Sequence, residues 1–233
     1  MKYIAFADVH ANHAALRAVM DHANITYGPA INFYLFGGDA VGIGPNPNDV
    51  CTILRSMRKL LAVKGDHDRA IIENDVANMD TEAAQTLEWT SRTLTPENRR
   101  FLEKMEEYVG LKSDGLEVLL VHGSPENLKT GEVYANVTSA QMQTMFERTR
   151  ADIILTCHTH MPFVRQWEDK LLVNVGSVGA PRDKDARACY VFLDTETRQL
   201  NFHRVPYNIN MVVDSMKRAG LPSSLAERLY YGW

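Results

Sequence analysis

The sequence lacks the features that mark several functional classes. Its 233 residues hold three cysteines, Cys51, Cys157 and Cys189. That odd number without metal-ligand spacing excludes a disulfide framework and a thiolate zinc site, and leaves reduced thiols. No apolar run approaches the ~20 residues that span a bilayer. No charged and apolar leader opens the chain, so a cytoplasmic location is expected. Basic runs are absent and the formal net charge is −4, so neither nucleic-acid duplexes nor membrane surfaces are expected partners. Internal repeats, low-complexity tracts and Pro/Gly-rich linkers are also absent. A chain of 233 residues buries a substantial core, and one domain over 1–233 is expected.

What is present is concentrated. The apolar run Phe33 to Phe36 stops at Gly37-Gly38, presents Asp39, and continues into a glycine-rich loop ending at Gly44-Pro45. The same construction occurs four more times. Ile4 to Ala7 ends in Asp8-Val9-His10, and Leu60 to Val63 ends in Lys64-Gly65-Asp66-His67-Asp68. Val118 to Val121 ends in His122-Gly123, and Ile153 to Leu155 leads through Thr156 and Cys157 to His158-Thr159-His160. Each run has the length and composition of a buried strand. Each ends in Asp or His on the side where open α/β sheets bind ligands. Of the eight histidines, five lie at these ends, which scattered structural histidines do not do; His13, His22 and His203 read as structural. Asp8 with His10, and His158 with His160, are two apart, and in extended chain such pairs face one way. Carboxylate oxygen with imidazole nitrogen suits Mn, Fe, Zn or Co and needs no thiolate.

Around these ends the pattern alternates strand and helix. Strands are predicted at 2–8, 31–37 and 60–64, with helices over 12–23, capped by Asn12, and 48–57. Residues 68–105 break that rhythm with polar helices, one opening at Thr95-Pro96, and form a helical insert beside the site. It serves either as a substrate-selecting wall or as packing. Strands follow at 107–112, 117–121, 153–156, 163–167, 171–175, 188–194 and 199–205, the later ones antiparallel and meandering. Helices are predicted at 139–148, 209–219 and 223–230. Mixed sheets with helices outside imply a layered α/β sandwich.

The five blocks resemble, in order, the motifs Asp-x-His, Gly-Asp, Gly-Asn-His-Asp/Glu, Gly-His and Gly-His-x-His of the calcineurin-like metallophosphoesterases. The flanks Gly42-Ile43-Gly44-Pro45-Asn46-Pro47, His122-Gly123-Ser124-Pro125 and Asn174-Val175-Gly176-Ser177-Val178-Gly179, with Ala219-Gly220-Leu221-Pro222 in the tail, resemble a compact prokaryotic branch. That branch includes phosphodiesterases and diadenosine polyphosphate hydrolases. The resemblance implies a four-layer α/β/β/α sandwich of two mixed sheets and two transition-metal ions, with Mn, Fe or Zn expected. It implies a small phosphorylated substrate attacked by a metal-bridging hydroxide, with no covalent intermediate. By the same resemblance Asp39 bridges the ions; Asp8, His10 and His160 complete one site, and Asp66, His122 and His158 the other. His67 is then the proton donor to the leaving oxygen, with Asp68 holding its ring. Arg182, beyond the Gly176–Gly179 loop, is a candidate grip on phosphate, and Lys64 and Arg69 read as solvated.

Three positions depart from the family pattern. Ala11 and Cys157 replace glycines beside donors. Asp66 replaces the asparagine, which keeps an oxygen donor, adds a negative charge and removes an amide N–H. The readings are a dimetal phosphodiesterase or dinucleoside polyphosphate hydrolase, a phosphoprotein or phosphomonoester phosphatase, and a weakly active or non-catalytic metal-binding scaffold such as the retromer subunit of this fold.

Overall fold

A computed structural model describes residues 1–77 and 79–233. Its first sheet joins β1 (Lys2–Phe6), β2 (Phe33–Phe36), β3 (Leu60–Ala62), β9 (Ala188–Asp194) and β10 (Gln199–Val205) in the order β10-β9-β1-β2-β3. The second joins β4 (Tyr108–Ser113), β5 (Leu116–Val121), β6 (Ile153–Thr156), β7 (Phe163–Trp167) and β8 (Lys170–Asn174) in the order β4-β5-β6-β8-β7. Both are mixed: β1, β2 and β3 run parallel, as do β5, β6 and β8, with antiparallel strands beside them.

Strand alternation builds the layers. Tyr3 and Ala5 of β1, Leu35 of β2 and Val191 of β9 face inward and pack against Val118, Leu120, Leu155 and Val173 of the other sheet. Their neighbours Ile4, Phe6, Phe36 and Phe192 face outward, onto α1 (His13–Thr26) and α2 (Pro47–Ser56) through Leu16, Val19, Val50 and Leu54. On the far side, Ile154 and Leu172 pack against Met142, Met145 and Phe146 of α6 (Ser139–Thr149). The result is the α/β/β/α sandwich. Eight α-helices flank the sheets among the described residues, and none is long and apolar enough to cross a membrane.

The predicted insert consists of α3 (Asp66–Glu73), α4 (Thr81–Thr93) and α5 (Pro96–Lys104). The expected caps are in place: Asn12 accepts from the Ala15 N–H at 3.1 Å and Thr95 from that of Asn98 at 3.4 Å. The insert's two ends meet, because the Lys64 N–H donates to Glu106 O at 2.9 Å and the Glu106 N–H to Ala62 O at 3.0 Å. The carboxy-terminal pair α7 (Ile209–Arg218) and α8 (Ser223–Tyr231) braces the insert, with Ser224 and Arg228 both bonded to Glu82 of α4.

One topological expectation is corrected. The later strands are not an antiparallel meander. The chain passes over the place beside β6 and forms β7 at the sheet edge, so β8 enters parallel to β6. β9 then returns to the first sheet between β1 and β10, where it is buried along its whole length.

Candidate metal centre

The carboxyl ends of β1, β2, β3, β5 and β6 converge where the two sheets meet. There the chain leaves extended geometry. Asp8, His10, Asp39, His158 and His160 all have φ between 48° and 67°. The expectation that extended i, i+2 pairs face one pocket is therefore corrected: the pairs share a pocket through left-handed turns. Such conformations cost roughly 1–3 kcal/mol each and persist only where the surroundings fix them. Here neighbouring strand ends fix each other, through Asp8 N–H to Gly38 O at 2.9 Å and His10 N–H to Asp39 O at 2.9 Å. The Ser177 hydroxyl adds a bond to Asp8 O at 2.8 Å.

Asp68 does not hold His67. Its fully buried carboxylate accepts from the backbone N–H groups of Asp39 (2.8 Å), Ala40 (2.9 Å) and Gly65 (3.1 Å). It therefore shapes the Asp39 turn and leaves nothing for an imidazole. Burial raises its pKa against the pull of those N–H groups. The extended geometry assumed for Asp66-His67 is also corrected, since both open α3. Their side chains still diverge, because successive helical residues are about 100° apart. His67 donates its backbone N–H to Asp39 Oδ1 at 2.9 Å, and its ring lies edge-on to His10 with centroids 4.7 Å apart. Gly42 makes room for that ring: at φ +84° a Cβ there would lie 2.2 Å from His67 Nδ1.

The donor atoms of Asp8, His10 and His160 lie within 4.8 Å of one another, and so do those of Asp66, His122 and His158. Asp39 falls within the same reach of Asp8 and His122, and of His10 and His67. His10 Nδ1 faces Val41 O at 3.3 Å and His160 Nδ1 faces Ala180 O at 2.5 Å, so both Nδ1 atoms carry the proton. Both Nε2 atoms are then lone pairs, pointed at each other across 3.0 Å. Two facing lone pairs repel unless a cation takes them both. Asp8 Oδ2 lies 4.0 Å from His160 Nε2, and its Oδ1, 3.8 Å from His122 Nδ1, is buried with no hydrogen-bond partner, a costly state for a carboxylate oxygen without a cation. These observations fit a metal ion. In the other half, His122 Nδ1 donates to Gly37 O at 2.8 Å, which aims its Nε2 at Asp66 Oδ1, 2.9 Å away. His158 Nδ1 is 3.0 Å from the same oxygen.

Electrostatics follow this layout. Burial lifts the Asp8 carboxyl to about 7, and burial with the Asp66 charge lifts Asp39 well above the carboxylate range. Burial, His67 and His160 hold His10 well below its ordinary value, and burial with Arg182 does the same to His160. Burial pushes the His122 pKa down, but Asp39, Asp66 and Asp8 outweigh it and carry His122 to about 10. Burial raises the Asp66 pKa, but bonds from His122 and His158 outweigh it and hold the carboxyl below its ordinary range.

The donors open into a cleft of about 310 Å³. Met79, Asp80 and Ala83 of the insert form one part of its wall, and Glu132 and Tyr134, from the loop before α6, another. None of these five was marked by sequence pattern. Arg182 lines the cleft too. Lys64 and Arg69 are not solvated: Arg69 is buried, with Nη1 2.8 Å from Glu107, and Lys64 Nζ lies 3.3 Å from the same carboxylate. His22 and His203 lie elsewhere, bonded to Tyr190 and Tyr27 at 2.8 and 2.7 Å, and His13 opens α1.

Residues 1–198 match the family model of the calcineurin-like phosphoesterase superfamily domain. The chain belongs to the calcineurin-like phosphoesterase superfamily. This phosphoesterase is similar to an uncharacterized protein of Methanocaldococcus jannaschii, at 28% identity over 242 residues, covering 97% of this chain and 96% of that protein. It superposes on a metallophosphoesterase from Sphaerobacter thermophilus with a TM-score of 0.84 at 28% identity, covering 100% of this chain and 99% of that one. A hypothetical protein from Pyrococcus horikoshii shares the fold, with a TM-score of 0.91 at 22% identity over 100% and 98% of the two chains. In this phosphoesterase the departure at Asp66 has a definite consequence: a charged oxygen, not an amide, meets both His122 and His158.

Proposed function

We propose that this phosphoesterase hydrolyses small phosphodiesters or dinucleoside polyphosphates, using two divalent transition-metal ions such as manganese, iron or zinc. The observation that carries the reading is the facing pair of imidazole lone pairs near the buried Asp8 carboxylate, whose Oδ1 has no hydrogen-bond partner, with Asp39 within reach of both donor groups. Asp8, His10 and His160 would hold one ion, Asp66, His122 and His158 the other, with Asp39 shared. Two bound ions supply Lewis acidity and an activated water to the reaction.

This chain's own residues do the rest. The His67 ring lines the cleft, where it is placed to hand a proton to a leaving oxygen; burial lowers its pKa, and the Asp66 charge acts against that, toward the protonated form the transfer needs. Arg182 reaches the cleft from the loop after β8 and is placed to receive a phosphoryl oxygen. Three carboxylates leave two divalent ions one surplus positive charge for phosphoryl oxygens, and at about 310 Å³ the cleft has room for a second organic group on the phosphoryl, which a monoester lacks.

The test is metal-loaded protein assayed with bis(p-nitrophenyl) phosphate, p-nitrophenyl phosphate and a dinucleoside polyphosphate, together with elemental analysis. The expected result is two ions per chain and turnover of the first or third substrate above the second. Asp39→Ala is expected to lose both ions and all activity. One ion or none in the wild type, or a preference for the monoester, refutes the proposal.

A further inference from the structure

The cleft carries one large side chain that the metal centre does not use. Tyr134 is 40% exposed and lines the cavity into which Asp39, Asp66 and His160 open. At about 310 Å³ the cavity is the size of a small organic ligand, larger than a phosphoryl group alone requires. Glu132 and Arg182 line the same cavity beside Tyr134. Met79 adds a polarizable thioether from the insert to the same cavity. An aromatic ring open to water beside the candidate metal centre is a surface on which a flat apolar group gains binding energy.

We infer that Tyr134 is a stacking platform for a planar aromatic group attached to the scissile phosphoryl group, with Met79 supplying further apolar surface. This deepens the proposed function and rests on it for the position of the phosphoryl group. The ligand class is a phosphoester carrying a ring, a chemistry that a nucleobase or an aryl alcohol supplies.

The experiment is calorimetric binding of three probes to the metal-loaded protein: AMP, phenyl phosphate and ribose 5-phosphate. The wild type is expected to bind AMP, phenyl phosphate or both about tenfold more tightly than ribose 5-phosphate, the low end of what one stacked ring contributes. A preference for AMP alone identifies a nucleobase, and a preference for both identifies any aryl ring. Tyr134→Ala is expected to bring the three affinities within about twofold of one another, while Tyr134→Phe retains the preference. The inference is overturned if the wild type shows no preference, or if Tyr134→Ala keeps it. Binding needs no turnover, so the two readings fail separately. A ring preference that depends on Tyr134 in a protein that hydrolyses nothing sinks only the proposed function. Hydrolysis without that preference sinks only the platform.

Discussion

Asp8, His10 and His160 are almost wholly buried, whereas the side chains of Asp66 and His158 are 18% exposed or less but open to the cleft. The chemistry of the two halves differs more than their exposure does. In the first half burial, with the Arg182 charge, keeps His10 and His160 unprotonated, so their lone pairs stand ready at neutral pH. In the second, three carboxylates raise His122 to about 10, so without an ion it carries a proton that neutralises Asp66. One half is preorganised for a cation. The other keeps a proton in the cation's place and must release it when metal binds. The difference comes from what each imidazole faces: another imidazole in the first half, carboxylates in the second.

His67 tests where the first half ends. It lies against His10 yet is proposed to serve the leaving group. His67→Ala is expected to keep both ions and lower kcat by roughly 10²–10⁴-fold for poor leaving groups, and less for good ones. Loss of an ion on elemental analysis places His67 among the ligands, and equal losses for both kinds of leaving group end the acid role.

The proton held by His122 sets the next largest effect. Between pH 7 and 9 the second half's metal affinity is expected to rise about tenfold per pH unit, as competition from that proton falls, while the first half's rises only until Asp8, at about 7, is ionised. Metal titrations at several pH values check this, and identical pH dependence for both ions breaks the comparison. Asp66→Asn removes one carboxylate from around His122 and one negative charge from the centre. At fixed Mn²⁺ with a phosphodiester, the variant is expected to turn over several-fold faster and to bind inorganic phosphate more tightly. A clearly slower variant with both ions bound shows instead that Asp66 is a functional adaptation.

The smallest effect concerns the metal-free protein. The folded pKa of His122 is raised, so its stabilisation is complete below its unfolded value of about 6.5 and fades as pH rises towards about 10. Asp8, at about 7, is largely ionised by pH 7.5. From pH 7.5 to 9 the metal-free Tm is therefore expected to fall by roughly 5 °C, with the metal-loaded protein nearly flat. A flat metal-free profile shows that His122 holds no proton there.

All seven candidate donors lay at the ends of apolar runs in the sequence, because strand length and an Asp or His stop are local features. The sandwich was legible for the same reason, with strand and helix periods alternating over most of the chain. The left-handed turns were not, since only pairing between distant strand ends holds Asp8 or His160 there. Asp68 misled because its neighbour in sequence is His67, while its partners Asp39 and Ala40 come from another strand end. Arg69 looked solvated because Glu107, its partner, lies beyond the whole insert. Tyr134 and Met79 sit in segments with no period to read and meet at the cleft only through the fold.

The closure of the insert at Lys64 and Glu106 has a consequence for how this protein can change. The chain departs and returns at one place, so the helices between behave as an exchangeable cassette. Asp66, His67 and Asp68 sit at its root, in the first turn of α3, whereas Met79, Asp80 and Ala83 lie well along it. Doubling the length of a flexible segment on the far side adds only about 0.6 kcal/mol of closure entropy. Insertions and substitutions beyond α3 can thus remodel the cleft wall while every candidate metal donor stays where it is. The bonds of Glu82 to Ser224 and Arg228 tie that remodelling to the carboxy-terminal helices, so substrate range and tail are expected to diversify together across descendants that keep the same reaction.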